Sequence, residues 1–350
     1  MLGGLSGLAL AGCGGIAADE HYDAIAGQGF ATVSEALAAA PGDRPFRILV
    51  RAGTWRERLV VDKDFVELAG EDREACRIVA GASAGDKGPD GQPIGTFATP
   101  TMIVRAKGFS ARRLTIANDF DYPAHLPKPV GDDKTGSSGA QAVAFAVQDG
   151  ADRAFLEDVR ISGWQDTLFA DAGRSLFRKC RVEGCVDFIF GAGRAVFEDC
   201  EIFSRIHPGQ DFNGFIAAPD TDIHQPFGLV FLGCRLIKQP GMAPHTVALG
   251  RPWRRTATFA DGRYGDPDAM GAAAYLNCRM DDHIVPEGWY PMGYNAKGGG
   301  RAMLQPEEAR FYEFASTGPG AGPPSPRRRQ LTPEQVRAFT AANVLSGWSP

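Results

Sequence analysis

One short pattern recurs along this chain and limits what it can fold into. A cysteine or aliphatic residue is followed by one variable residue and then by another apolar one. Five copies begin with cysteine: Cys76-Arg77-Ile78, Cys180-Arg181-Val182, Cys200-Glu201-Ile202, Cys234-Arg235-Leu236 and Cys278-Arg279-Met280. Leu114-Thr115-Ile116 and Val159-Arg160-Ile161 occupy the same slot. From Val159 onward the copies lie 21, 20, 34 and 44 residues apart, and the gap from Leu114 to Val159 is 45, near two periods. A unit of about 20 residues with occasional insertions is a solenoid signature, because one unit cannot bury its own apolar face and must stack on the next. The period is too short for a helix pair but holds several strands. The segments between are short and rich in β-formers, as in Phe46-Arg47-Ile48-Leu49-Val50 and Ala142-Val143-Ala144-Phe145-Ala146-Val147. The 44 glycines and 24 prolines supply turns. The expected fold is all-β: a right-handed, single-stranded parallel β-helix with short flanking helices and coils about 4.8 Å apart.

That stacking bears on the cysteines. Residues one coil apart fall within the Cα–Cα window of a disulfide. Cys180 and Cys200 stand in that relation, and either bond or belong to a buried column of free thiols. Cys76, Cys234 and Cys278 have no partner at a one-coil spacing and read as buried thiols, and Cys185 has no assignment. Two helices are expected beside the coil. One covers residues 32–40, with a capping signal and a terminating Pro41. The other starts at Thr332-Pro333-Glu334-Gln335, with threonine as N-cap and proline at N1. Residues 318–329, ending in three arginines, read as an extended segment that is solvated or packed on a sheet.

Length alone, 350 residues, suggests two domains, but a solenoid accommodates them as one. The expected organisation is a signal peptide over 1–12, a linker over 13–21, and one β-helix domain with a C-terminal extension and helix over 22–350. A hydrophobic content of 44% excludes a disordered chain. A net charge of −5 with no basic stripe argues against nucleic-acid binding. Beyond the N-terminus no apolar run approaches the ~18 residues of a membrane helix. Residues 2–11 are apolar or small, and Leu10-Ala11-Gly12-Cys13 resembles a bacterial lipobox, although no lysine or arginine precedes it. Lipidation at Cys13 is expected, the alternative being a cleaved secretory signal.

The chemistry is carried by polar residues set among apolar ones: Gln141, then Gln165-Asp166-Thr167-Leu168-Phe169, then Asp187-Phe188-Ile189-Phe190-Gly191. Asp166 and Asp187 are 21 residues apart, one coil, so their carboxylates stand on neighbouring rungs roughly 5 Å apart. Close carboxylates in a partly apolar setting do not both ionise easily, and one keeps its proton. That division suits an acid and a nucleophile. Gln141, 24 residues before Gln165, adds a third rung, and the two amides can donate to a developing oxyanion. Arg251, held between Gly250 and Pro252, is placed to fork onto a carboxylate. Trp253 offers a flat face for a sugar ring. A single aspartate would read as a turn residue; the joint spacing carries the inference. No His/Cys ligand cluster is visible, in agreement with the family resemblance described next, which implies no metal and no cofactor. His207 and His245 read as groove or loop residues.

These strings resemble the signature set of the pectin methylesterases (pectinesterases, carbohydrate esterase family 8). The resemblance rests on Gly139-Ala140-Gln141-Ala142-Val143-Ala144, Gln165-Asp166-Thr167-Leu168, Asp187-Phe188-Ile189-Phe190-Gly191, Leu249-Gly250-Arg251-Pro252-Trp253 and Gly53-Thr54-Trp55-Arg56-Glu57, and spans roughly residues 22 to 348. Gly214-Phe215-Ile216-Ala217-Ala218-Pro219 is closer to the bacterial than the plant branch, and the Cys180/Cys200 pair resembles a bacterial-branch disulfide. The family implies Asp187 as nucleophile, Asp166 as general acid and then base, Gln165 and Gln141 at the oxyanion, and Arg251 orienting Asp187. It also implies a sugar groove lined by Trp253, Phe190, Val186, Met292 and Thr99. Cys185 stands where the family often has a small hydroxyl residue. The implied reaction is hydrolysis of methyl esters on homogalacturonan (pectin) to pectate and methanol. Two alternatives are a same-fold envelope lipoprotein hydrolase acting on another ester or a thioester such as an acyl-CoA, and a pectin-cleaving glycosidase or lyase. The implied partner is the polysaccharide, not nucleic acid, and the chain is expected to be a monomer. Membrane contact is expected only through Cys13, in an exported bacterial protein that is an outer-membrane lipoprotein or secreted to the periplasm or beyond.

Overall fold

Each turn of the chain is built from three short strands, and one coil shows why. Ala154–Glu157 alternates inward Ala154 and Leu156 with outward Phe155 and Glu157. Asp158 then takes a left-handed backbone (φ 53°) and bends the chain into Arg160–Ser162. A third strand, Leu168–Ala170, precedes the return to Arg174–Arg178 one level up. The bend recurs at Arg113, Lys179, Asp199, Gly233, Asn277 and Ala315, all with positive φ. Aspartate and asparagine tolerate this conformation better than most residues, and glycine pays nothing for it.

The structure, a computed structural model, describes residues 21–126 and 139–350. The expected signal segment and its Cys13 lie outside the described residues. Stacked coils form three parallel sheets of 11, 8 and 7 strands, a right-handed parallel β-helix as the repeat predicts. Register is maintained across the insertions: Arg181 pairs with Glu201, Glu201 with Arg235, and Arg235 with Arg279. The longer spacings are loops that leave and rejoin the coil beside the seven-stranded sheet, where they wall the cleft described below.

Inside, like residues stack on like. Phe177, Phe197, Phe231 and Tyr275 form a ladder with ring centroids 4.8, 4.7 and 4.3 Å apart, nearly parallel. The register places Cys180, Cys200, Cys234 and Cys278 on four consecutive rungs, so Cys234 and Cys278 do have one-coil neighbours. All are buried free thiols. The disulfide implied for Cys180 and Cys200 is therefore corrected: each Sγ turns onto a carbonyl of the preceding coil instead, Cys180 on Leu156 (3.4 Å) and Cys200 on Phe177 (3.2 Å).

The helix Val33–Ala38 covers the N-terminal end, capped by Thr32. Glu57, in the Gly53-Thr54-Trp55-Arg56-Glu57 string, accepts from the amides of Val33 and Ser34 at 2.9 Å, so that string serves the cap rather than the chemistry. At the other end, the expected helix is reduced to a 3₁₀ turn, Gln335–Ala338, and one α-turn, Ala341–Val344. Thr332 does cap, accepting from Gln335. The segment then bends so that Val336, Phe339, Val344, Leu345 and Trp348 can lie on the outer face of the 11-stranded sheet. Arg328 is fully buried and forks onto Glu313 at 2.9 and 2.6 Å, with further bonds to backbone carbonyls. Of the three arginines, Arg328 is buried and Arg329 lies over the Tyr312 ring, while Arg327 pairs with Glu307 at the surface.

Breaking the Arg328–Glu313 pair leaves a buried charge without its partner. Arg328→Met is expected to cost about 3–5 kcal/mol, and adding Glu313→Leu should recover most of it. Denaturant unfolding of the single and double variants checks this.

Candidate active site

The cleft lies on the seven-stranded sheet, where strand Leu168–Ala170 pairs with Val186–Gly191 through Leu168↔Ile189 and Phe169↔Phe190. That register sets Asp166 opposite Asp187, as the 21-residue spacing predicts. Ala142 N–H donates to the Gln165 carbonyl (3.2 Å), which puts Gln141 beside Gln165 on the rung before. A cleft of about 730 Å³ is lined by Gln141, Gln165, Asp166, Asp187, Phe190, Arg251, Trp253 and Met292 together with Thr96, Phe97, Arg255 and Arg263.

Both aspartates have a left-handed backbone, φ 60° at Asp166 and 48° at Asp187. Asp187 also sits in a bulge, where Val186 pairs with Phe215 but Ile189 pairs with Ala217. Bulges and positive φ re-aim side chains at the cost of local strain, and they concentrate at functional sites. Here they turn out toward the cleft side chains that regular alternation would not.

The two carboxyls have different surroundings. Arg251 donates Nε to Asp187 Oδ1 (2.8 Å) and Nη2 to Oδ2 (2.6 Å), a bidentate fork. Its guanidinium lies over the Phe215 ring at 4.0 Å. It reaches Asp187 from two rungs away because the intervening strand carries the small Ala217 and Ala218. A side chain at Gly250 would stand 2.3 Å from the Ala217 carbonyl, so only glycine permits this approach. Asp166 has no such fork. One edge is open to the cleft, but burial, and secondarily the Asp187 charge, push its carboxyl well above the usual range, with Arg251 only partly offsetting this. One carboxyl is set up to carry the proton beside another that is charge-paired.

The floor is aromatic. Phe169 and Phe190 stack at 4.6 Å, Trp253 lies 5.8 Å from Phe190, and Phe97 lies 5.0 Å from Phe169. Phe97 is 50% exposed, and the sequence reading did not single it out. An exposed phenylalanine in a Gly-Thr-Phe-Ala turn was the available signal. Arg255 braces Trp253 from behind, 5.2 Å from its ring, while paired to Asp171 and to buried Asp220. Burial, opposed by Arg255, brings the Asp220 carboxyl up to about 6.

Two expected groove residues are corrected. Thr99 is buried, its hydroxyl donating to the Thr96 carbonyl (2.7 Å) and accepting from Val143 N–H (2.9 Å). Val186 is buried in a cluster with Phe120, Tyr122 and Cys185, outside the residues that line the cleft. His207, read as a groove or loop residue, lies in a loop and is buried beside that cluster, with Nε2 3.0 Å from the Tyr122 hydroxyl.

Comparison with known proteins agrees with this geometry. The pectinesterase family model matches residues 23–347. Pectinesterase A of Dickeya dadantii is 42% identical over 329 residues, covering 93% of this chain and 89% of that protein. The pectin methylesterase PemA from Erwinia chrysanthemi superposes with a TM-score of 0.89 at 41% identity, covering 95% of this chain and 99% of its own. A pectin methylesterase solved in complex with a hexasaccharide gives a TM-score of 0.89 at 40% identity, covering 95% of this chain and 99% of its own. Carrot pectin methylesterase gives 0.73 at 25%, covering 95% of each chain. By its sequence, its coil and the residues in its cleft, this chain belongs to the pectinesterase family.

Proposed function

We propose that the cleft hydrolyses methyl esters of galacturonate in pectin through a covalent acyl-enzyme. The observation that carries this is the pair of unlike carboxyls: Asp187 forked by Arg251, and buried Asp166 one rung away, with two amides beside them. An Asp187 oxygen attacks the ester carbonyl carbon. The carbonyl oxygen takes the negative charge and is met by the amide N–H groups of Gln165 and Gln141. The C–O bond to methoxide breaks as Asp166 gives it a proton, releasing methanol and leaving an anhydride between Asp187 and the sugar acid. Asp166, now a carboxylate, takes a proton from water as that water attacks the anhydride, and pectate departs. Trp253, Phe190 and Phe97 offer the flat surface for the sugar rings, and Met292 closes one side.

Two carboxyls this close would also suit a retaining glycosidase. The Arg251 fork favours the esterase reading, since it holds a carboxylate for attack beside amides placed for an oxyanion. At the N-terminus, residues 2–11 followed by Cys13 support export with a lipid anchor.

Asp187→Ala is expected to lower methanol release from methylated pectin by more than about 10⁴-fold. Asp166→Asn is expected to lower it by about 10²–10⁴-fold. Viscometry on the wild type should show no loss of polymer length; chain scission without methanol would sink the esterase reading.

Asp166 also predicts a stability trend. Its folded carboxyl titrates above its unfolded one, so its contribution is full at acid pH and is lost as pH rises through the raised value. The melting temperature of Asp166→Asn minus that of wild type should therefore grow as pH rises above the ordinary carboxyl range. A pH-independent difference would refute the raised titration. Expressed in a bacterium with its leader, the wild type should fractionate with membranes and Cys13→Ser with the soluble fraction.

A further inference from the structure

Trp253 stands on an irregular stretch between the strands Val247–Gly250 and Thr256–Phe259. An aromatic ring on a loop binds a sugar well only if its plane is fixed before the sugar arrives. Arg255 supplies that fixing. Its guanidinium lies over the indole, 5.2 Å from the ring. Three of its nitrogens face carboxylates. Nε donates to Asp220 Oδ2, Nη2 donates to Asp171 Oδ1, and Nη1 lies 3.5 Å from Asp171 Oδ2. The two anchors come from the strands of the cleft floor. Asp171 follows Leu168–Ala170, which carries Phe169, and Asp220 follows Gly214–Pro219, which carries Ala218. The strand between them, Val186–Gly191, carries Asp187 and Phe190. Just beyond it, Ala192 N–H donates to Asp171 Oδ1 at 3.2 Å. One guanidinium thus ties the indole to the ends of three consecutive rungs.

Stability alone does not account for this clamp. Asp220 is 2% exposed, and its Oδ1 receives no hydrogen bond from another residue among those described. A buried ion pair with an incompletely satisfied carboxylate adds little net stability, and neutral side chains of like size would serve the fold as well. We propose that Arg255 is a positioning residue: clamped by Asp171 and Asp220, it holds the indole plane of Trp253 fixed relative to the reacting carboxyls and so sets how tightly a methylated sugar unit is bound. Arg255 borders the cleft, yet the nitrogens named above are turned to the aspartates and its flat face to the indole. Its role is support of the ring, not a salt link to the sugar. This role rests on the reading of the cleft as a pectin esterase site.

The test reads initial rates of methanol release from a short, fully methylated oligogalacturonide, a substrate without charge. The paired variant Arg255→Met with Asp220→Asn removes both buried charges together. It should raise KM about 2- to 10-fold, the scale of immobilising one side chain. Its kcat should stay within about twofold, and its melting temperature should change little. Arg255→Lys keeps the charge but loses the planar fork, and should raise KM likewise. In a Trp253→Ala background neither change should raise KM further. An unchanged KM in the paired variant, a wild-type KM in Arg255→Lys, a further rise in the Trp253→Ala background, or a loss confined to kcat would each overturn the proposal. A wild type that releases no methanol would instead overturn the esterase reading on which it rests. Should the paired variant fail to fold, Arg255→Lys replaces it in the cycle with Trp253→Ala.

Discussion

Every feature of this molecule depends on in-register hydrogen bonding between successive coils. Because each strand pairs with the equivalent strand about 20 residues later, a residue type repeated at that interval becomes a column. Columns of apolar residues make the core, as in the Phe177–Tyr275 ladder and the four thiols from Cys180 to Cys278. Columns of charge make the outer face, where Glu183 accepts from Arg160, Arg181 and Arg205. The same register sets Asp166 against Asp187. A slip of one residue would reverse which side chains face the core, which is why a buried stack specifies its register so strongly.

The site departs from that regularity where chemistry requires it. In a regular ladder the two aspartates would have similar environments and compete for one proton. The bulge at Asp187, and the arginine reaching that residue over the one intervening alanine-bearing rung, make them different. The insertions matter for the same reason. A bare coil offers a flat sheet face, whereas the insertion after Gly250 brings Trp253, Arg255 and Arg263 over it and turns the face into a cleft. Regular stacking supplies rigidity, and local irregularity supplies the unequal electrostatics.

Much of this was legible in the chain. The triplet period implied the β-helix, the 21-residue interval implied the paired carboxyls, and Gly250 and Pro252 around Arg251 implied a constrained arginine. The misreadings have separate causes. Cys234 and Cys278 were taken as lacking rung neighbours because loop insertions lengthen the sequence interval without changing the spatial one. Thr99 and Val186 lie close in sequence to cleft residues, but the Thr99 hydroxyl is taken up by the Thr96 carbonyl and the Val143 amide, and Val186 packs into its own apolar cluster. The C-terminal helix had its cap, yet docking apolar residues on a sheet outweighed continuing the helix.

The sequence by itself determined the period, the stacking and the one-coil interval between Asp166 and Asp187, because these depend on local alternation and on intervals counted along one chain. Only the tertiary structure decided how the arginine reaches across to Asp187, which thiols meet which carbonyls, and how Tyr122 and His207 come to lie beside Gln165. Those contacts join residues 23 to 85 positions apart. Their geometry is set by the packing of whole coils, which no interval along the chain records.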